Sequence, residues 1–279
     1  MLPLFRKTIF LFCLLGGIFS FPVFSQSYQE LSEQALEWIE NDSLALAENL
    51  FREALKLEPT NPHNALLFSN IGMLQQRMLR YDEAIESFTY ALNIAPRAIP
   101  ILLNRAAVYM ETGAPNRAYV DYCEVLDLDK KNVEALLMRA YVYMNRRDYK
   151  AARIDYNRLL EVDPLNYGAQ LGLVNLNQKE GKFKEALEIL NDMLIRLPQD
   201  STLYIMRAGV ENEMGQQDLA LIDLEEAIHL DPDFPDSYII RGDIYLSQKK
   251  KTLAKLDFEK AISLGVPHSD LQEQLRQCR

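Results

Sequence analysis

The feature that most constrains this chain is a repeat of 34 residues. It is clearest over residues 133–166, where two apolar stretches with helical spacing are separated by a polar break at 145–148. Proline ends the second stretch, because it lacks an N–H donor and restricts the residue before it. The same proline returns at this interval as Pro164, Pro198 and Pro232. A period of this length predicts a stack of equivalent helical units.

At three positions of the unit, the size of the side chain stays similar in all seven copies. With Pro164 counted as position 32, position 24 is large or aromatic and position 8 is small or nearly so. Small residues that face each other let two antiparallel helices approach closely, and the large side chain fills the space beside them. Position 20 is alanine in all seven copies: Ala47, Ala84, Ala118, Ala152, Ala186, Ala220 and Ala254.

This pattern resembles the tetratricopeptide repeat, a helix–turn–helix with small and aromatic residues at these positions. The resemblance implies an all-α protein, a right-handed α-solenoid of about seven units that occupies residues 26–279 as one domain. A final segment, 269–279, is predicted to be a capping helix, with Ser269 as its N-cap and with Leu271 and Leu275 covering the last unit. The units are placed at 28–59, 65–98, 99–132, 133–166, 167–200, 201–234 and 235–266.

Two further positions change together. Arginine at position 7 and aspartate at position 23 occur in the same four units, and both are missing from the other three. These positions lie at the same level of the hairpin, and a partly buried ion pair needs both members because the loss of one leaves a charge unpaired. We therefore predict four structural ion pairs: Arg105–Asp121, Arg139–Asp155, Arg207–Asp223 and Arg241–Asp257.

Residues 1–25 have the three-part layout of a secretory signal peptide. Arg6 and Lys7 form a positive start, residues 9–19 are apolar, and Ser25 is a small residue at the expected cleavage site. The alternative is an uncleaved membrane anchor, but the apolar stretch is shorter than the roughly 20 residues that a membrane span needs. Cys13 is not set in a lipoprotein cleavage motif. We expect export to the periplasm or the exterior of a bacterial cell, without stable membrane insertion after cleavage.

The charge of the chain bears on its partners. Removal of Arg6 and Lys7 from 30 basic residues leaves 28 against 40 acidic ones, a net charge of −12. Such a surface repels phosphate backbones and anionic lipids, so nucleic acid is not expected as a partner.

The two cysteines that follow the predicted signal peptide are far apart along the solenoid. Cys123 and Cys278 are separated by about four units, whereas a disulfide needs Cα atoms within about 7 Å of each other. We expect no bridge within one molecule. For Cys278, near the C-terminus, a free thiol and an intermolecular disulfide are both open.

No motif in the sequence predicts catalysis. His63, His229 and His268 lie in different parts of the unit, and none has a carboxylate or cysteine at the spacing of metal ligands. Nucleophile elbows, phosphate loops and dinucleotide fingerprints are absent. The sequence therefore predicts no enzyme activity, no metal and no cofactor.

The resemblance also implies a binding surface. In the family, positions 2, 5, 9, 12 and 13 of the first helix of each unit line a concave groove. An apolar strip bordered by amides suits a peptide, with side chains in pockets and peptide groups on Asn and Gln. The alternative is that Leu103 and Leu137 only pack against neighbouring helices. The candidate groove residues are Leu103, Ala107, Met110, Leu137, Tyr141 and Met144, flanked by Asn175, Gln178, Lys179 and Asn212.

Three functions follow from this interpretation. The first is an exported, non-enzymatic scaffold or adaptor that binds a protein or peptide partner in the groove. The second is an envelope assembly factor or periplasmic chaperone for unfolded clients, and the third is an accessory subunit of a larger enzyme or secretion complex. Binding of a chaperone tail is not expected, because Ser32 and Leu36 of the first unit stand where relatives that bind such tails have lysine and asparagine.

Overall fold

The computed structural model describes residues 27–279, which form fifteen α-helices and no strand. The predicted signal peptide at 1–25 lies outside the described residues. The helices are α1 (Tyr28–Glu40), α2 (Leu44–Leu57), α3 (Asn64–Arg77), α4 (Tyr81–Ile94), α5 (Ile99–Glu111), α6 (Pro115–Leu128), α7 (Val133–Asn145), α8 (Tyr149–Val162), α9 (Tyr167–Lys179), α10 (Phe183–Arg196), α11 (Ser201–Glu213), α12 (Gln217–Leu230), α13 (Pro235–Ser247), α14 (Lys251–Ser263) and α15 (Gln272–Gln277).

The helices pack in consecutive pairs, and the pairs stack in chain order. Each odd-numbered helix packs on the even-numbered helix that follows it, and each even-numbered helix up to α12 packs on the next odd-numbered one. Odd-numbered helices also contact each other across units, as α7 does with α9 and α11 with α13. They therefore lie on the inner, concave side of the curve. The predicted all-α solenoid is confirmed.

Local sequence signals set the ends of the helices. The backbone N–H of Ala135 donates to Asn132 Oδ1 at 3.0 Å, and that of Ala169 donates to Asn166 Oδ1 at 3.0 Å, so each asparagine caps the helix that follows it. Helix α8 ends at Val162, and Pro164 follows its C-cap residue. The second helix of this unit thus ends just before the proline that was predicted to stop it.

Close packing holds each pair together. The alanines at position 20 are completely buried, and the rings at position 24 are buried beside them. Where position 8 is glycine, the ring occupies the space of its missing side chain: a Cβ on Gly72 would lie 2.8 Å from Phe88 Cε1, and one on Gly242 would lie 2.6 Å from Phe258 Cε1. Position 8 is therefore small because the position-24 ring fills the gap between the helices.

The turn between the helices has one conformation in every unit. Position 15 has a positive φ in all seven, between 56° and 78°, which is the left-handed region that ends many helices. Glycine occupies it at Gly113, Gly181 and Gly215, as expected from the sequence. The other four units adopt it with a side chain present, at Asp42, Leu79, Arg147 and Lys249.

All four predicted ion pairs are present, each with two N–H···O bonds from one arginine to one aspartate. The bonds measure between 2.6 and 2.9 Å, from the guanidinium Nε and Nη2 to the two carboxylate oxygens. The aspartates are buried, whereas the arginines keep some exposure. Each pair ties position 7 of the first helix to position 23 of the second.

The C-terminal cap differs from its prediction in one respect. Helix α15 starts only at Gln272, so Ser269 does not cap it. The chain first makes a tight turn after Pro267, and the Ser269 hydroxyl donates to Asp270 Oδ1 at 3.0 Å. Leu271 is nevertheless buried, and Leu275 packs on the same apolar cluster of the last unit. The covering role predicted for the two leucines is confirmed.

We expect Arg139→Leu to destabilise the protein by about 3–5 kcal/mol, because it leaves the buried Asp155 carboxylate unpaired. The double variant Arg139→Leu/Asp155→Ile copies the apolar combination of Leu173 and Ile189 in the fifth unit, and should recover most of that loss. Urea unfolding of the single and double variants measures both values. Equal destabilisation by the two would contradict a coupled pair.

Candidate binding groove

Position 9 of the odd-numbered helices forms a row along the concave groove. Its first four members are apolar, whereas the last three are an amide, a glycine and a carboxylate. Leu36 is 51% exposed and Tyr141 is 49% exposed, and Leu66, which lines the same cavity as Leu36, is 59% exposed. Apolar side chains that are this exposed and share one concave surface are typical of a binding site. From the first unit to the seventh, the row is Leu36, Met73, Ala107, Tyr141, Asn175, Gly209 and Asp243.

The ten residues proposed from the sequence lie on the odd-numbered helices, as expected. Tyr141, Asn175 and Lys179 are exposed, and the other seven are half-buried. Leu103 and Leu137 pack against the central apolar core while part of each remains accessible. Their packing role is therefore real, and their role in binding a partner stays a prediction.

Five groove residues were missed, although the same rule finds them. Positions 2 and 9 of the first, second, sixth and seventh units include Leu36, Leu66, Met73, Gly209 and Asp243. The apolar groove residues predicted from the sequence all lie in the third and fourth units. Four of the missed residues are distinguished by their exposure and Gly209 by the open space beside it, neither of which a single sequence gives.

The N-terminal end of the groove opens into a cavity of about 570 Å³. Leu36 and Leu66 line it together with Tyr28 and Glu58. The Tyr28 hydroxyl is buried without a hydrogen-bond partner among the described residues, and desolvation together with the Glu58 charge raises its pKa. The cavity therefore combines the apolar side chains of Leu36 and Leu66 with a hydroxyl group, on Tyr28, that is not hydrogen-bonded within the described residues.

The groove carries mainly negative charge. The groove positions carry two cations, Arg77 and Lys179. Arg77 forms an ion pair with Asp42 at 2.8 Å, so Lys179 is the one that no carboxylate among the described residues pairs with. The Asp243 side chain is exposed, but the protein around it displaces part of its water, and this desolvation raises its pKa. The acidic side chains at positions 2, 9 and 13 of the third to seventh units are Glu111, Glu134, Glu213, Asp236 and Asp243.

Polar pairs between consecutive units are a second feature that the sequence analysis missed. They join position 21 of one unit to position 11 of the next. Arg153 Nη2 donates to Asn177 Oδ1 at 2.7 Å, and the Tyr119 and Tyr143 hydroxyls lie 3.0 Å apart. Gln75 Nε2 donates to a Glu48 carboxylate oxygen in the same way, at 3.0 Å. These bonds fix how one unit stacks on another.

At three of the six junctions between units, position 21 is apolar, and at one of these position 11 is Glu211. The corresponding position of the preceding unit is Leu187, which offers no hydrogen-bonding group. Glu211 is 8% exposed, and its Oε2 has no partner among the described residues. Desolvation, reinforced by the charge of Asp223 and opposed by Arg207, raises the pKa of Glu211 to about 7. This carboxylate belongs to the interface between units, outside the groove.

The remaining reactive groups include the two cysteines among the described residues. Cys123 and Cys278 are free thiols; Cys123 Sγ accepts a bond from Arg139 Nη1 at 3.5 Å, and burial raises the pKa of Cys278. Over residues 27–279, no three His, Cys, Asp or Glu residues are grouped so that they could hold a metal ion. Within the same range, no helix has the length and apolar character needed to cross a lipid bilayer.

Stacked helical hairpins with a concave groove define a helical-repeat protein, and comparison with known proteins gives its family. Tetratricopeptide repeat models match residues 137–201 and 235–264. A crystal structure of a tetratricopeptide repeat protein from Parabacteroides merdae is 34% identical, covers 91% of this chain and 99% of its own, and superposes with a TM-score of 0.76. The chain belongs to the tetratricopeptide repeat family.

Two other similarities are more limited. DnaJ homolog subfamily C member 7 is 36% identical in its human form and 35% in its mouse form, over 86 residues that make up 30% of this chain. The chain spans only 17% of the length of these curated relatives. YrrB, described as having an unusual peptide-binding site, is 21% identical with a TM-score of 0.50, and covers 69% of this chain and 99% of its own. That similarity shows the fold.

We expect Glu211→Gln to stabilise the protein at pH 8 by about 1–3 kcal/mol, and to have little effect at pH 5. The pKa of Glu211 is higher in the folded chain than in the unfolded one, so the folded state binds the extra proton. The burial penalty is therefore complete above about pH 7 and disappears as the pH falls below the ordinary glutamate value of 4.5.

Urea unfolding at the two pH values measures this effect. Glu213→Gln, on the exposed surface of the same helix, serves as the control and should change little at either pH. A gain from Glu211→Gln that is equal at pH 5 and pH 8 would contradict a raised pKa.

Proposed function

We propose that this protein is an exported, non-enzymatic scaffold or adaptor that binds a peptide segment or protein partner in its concave groove. The observation that carries the proposal is the row of exposed apolar side chains at positions 2 and 9, from Leu36 and Leu66 to Tyr141. Met73, between Leu66 and Tyr141, is 38% exposed, and the half-buried Ala107 continues the apolar row in the third unit. A partner that covers these side chains removes apolar surface from water, which is the main source of affinity in such contacts.

Family and architecture support the same proposal. A solenoid offers an extended concave surface whose successive units contact successive parts of a ligand. YrrB, which shares the fold, is described as having a peptide-binding site. The net negative charge of the chain makes a protein or peptide a better partner than nucleic acid.

Export rests on the sequence of residues 1–25. Their charged start, apolar centre and small residue at Ser25 favour secretion to the periplasm or beyond. The solenoid has apolar clusters of buried residues from its first described unit to its last, so its stability does not have to come from disulfides. A reduced pair of cysteines is therefore compatible with an oxidising compartment.

A second candidate function, as an accessory subunit of a larger complex, is favoured by a separate surface. Four apolar side chains on the even-numbered helices of the last two units are between 44% and 61% exposed. They lie on the convex side, away from the groove. This convex patch consists of Leu219, Ile222, Leu253 and Leu256.

The groove is tested with Tyr141→Glu/Met144→Glu, which places two charges on the apolar strip. We expect the main cross-linked partner in a native extract to be reduced about tenfold or more, because the charges must lose water when the partner covers them. Cross-linking followed by mass spectrometry measures the loss. A single partner lost in this way supports an adaptor, whereas a broad set of reduced clients supports the chaperone alternative.

The matched control adds the same charges to the convex side of the same unit. Ile154 is 51% exposed and Asn157 is exposed on α8, so Ile154→Glu/Asn157→Glu should leave the partner bound. A partner that survives the groove variant and is lost in the control would overturn the groove assignment in favour of the convex side.

Export is tested by fractionating cells and measuring the mass of the protein. We expect the protein outside the cytoplasm with its N-terminus at Gln26, because Ser25 meets the small-residue requirement for cleavage. Full-length protein in the cytoplasm would contradict export, and full-length protein in the membrane fraction would favour the uncleaved anchor.

A further inference from the structure

Gly209 is the one glycine inside a helix, over residues 27–279, that packing does not explain. A Cβ on Gly172 would lie 2.3 Å from the Tyr156 ring, and Gly72, Gly168 and Gly242 are similarly crowded. A Cβ on Gly209 would meet nothing within 4 Å. Glycine in the middle of a helix costs about 0.5–1 kcal/mol relative to alanine. Gly209 lies at position 9, a groove position, so the space where its side chain would be is part of the groove.

Asp243 occupies the same register position on the next unit. It lies on α13, which contacts the α11 helix that carries Gly209. Asp243 is exposed, and among the described residues no hydrogen bond or ion pair neutralises it. Two other carboxylates of this face do accept hydrogen bonds: Glu213 from Gln178 at 3.4 Å and Glu111 from Gln76 at 2.7 Å. Asp243 is therefore an unneutralised charge beside an unfilled space.

The two ends of the groove differ in chemistry. Position 9 is apolar in the first four units, as Leu36, Met73 and Tyr141 show, whereas Asp243 occupies it in the last unit, where Asp236 adds a second carboxylate at position 2. An extended peptide rises about 3.3 Å per residue, and adjacent helices pack about 10 Å apart. A segment of roughly nine residues thus spans the distance from Tyr141 to Asp243.

We infer that the groove binds a peptide segment with apolar side chains at one end and a lysine or arginine at the other, the cation reaching Asp243 through the space that Gly209 leaves open. This inference rests on the proposed function and specifies its ligand. Charge complementarity favours a basic ligand, because the groove carries a net negative charge. Among the described groove residues, Lys179 is the one cation without a carboxylate partner.

The test uses three fluorescein-labelled 15-residue peptides, each made in both chain orders. Every peptide carries Leu-Ala-Leu-Met-Leu, a Gly/Ser spacer of eight residues, and two Lys, two Glu or two Ser at the other end. Fluorescence anisotropy with the protein from residue 26 onward gives the dissociation constants. We expect one chain order of the Lys peptide to bind about tenfold more tightly than the Ser peptide, an advantage that falls with added salt.

Two variants locate the effect. Asp243→Asn should remove most of the Lys advantage and leave the Ser peptide unchanged. Gly209→Leu fills open space, so it should leave thermal unfolding unchanged or raise its midpoint, yet weaken the Lys peptide about fivefold or more. Gly215→Ala, at a turn outside the groove, is a control in which stability falls and binding remains.

The outcomes separate the two proposals. Equal binding of the Lys, Ser and Glu peptides, or a preference for Glu, would overturn the basic ligand and leave a groove that binds apolar peptides. A Lys advantage that persists in Asp243→Asn would also overturn it. Binding of no peptide at millimolar protein would refute both the ligand and the peptide-binding groove.

Discussion

The structure depends on the close approach of the two helices in each unit. Alanine at position 20 and a small residue at position 8 bring the helices together, and the large side chain at position 24 closes the gap. A pair packed in this way still has an apolar side, which only the next pair can bury. Stacking therefore follows from the hairpin, and repeated stacking puts the odd-numbered helices on a concave surface.

Polar contacts make this packing specific. In four of the units, an Arg–Asp pair connects the middles of both helices, and its two parallel hydrogen bonds fix their rotation as well as their distance. Between units, contacts such as Arg153 with Asn177 fix the stacking. Glu211 has no such partner, so the junction between the fifth and sixth units relies on apolar contacts and carries a buried carboxylate. That junction is the one whose stability should depend most on pH.

The sequence predicts the unit better than the surface. The helix pairs, the glycine turns and the four ion pairs could all be predicted, because each depends on residues at fixed spacing inside one unit. The contact between Tyr119 and Tyr143 joins different units, and the residue types change from one junction to the next. No position stays constant to reveal it. The start of α15 was missed for a local reason, since the turn after Pro267 uses the residues that would have capped the helix.

The groove, too, could be predicted from the sequence only in part. Its positions could be predicted from the family, but the importance of Leu36, Leu66 and Asp243 depends on their exposure, and that of Gly209 on the empty space beside it. Position 9 changes from apolar in the first four units to acidic in the last one. Such a surface distinguishes the two ends of a ligand, which a uniformly apolar groove does not.

The most direct test of a binding groove compares the two sides of one unit. Tyr141 on α7 and Ile154 on α8 are almost equally exposed, at 49% and 51%, and face opposite sides of the solenoid. A photo-reactive benzoylphenylalanine at each position, irradiated in living cells, reports which side touches a partner. A binding groove predicts a discrete cross-linked product from position 141 and none from position 154. The reverse pattern would contradict it.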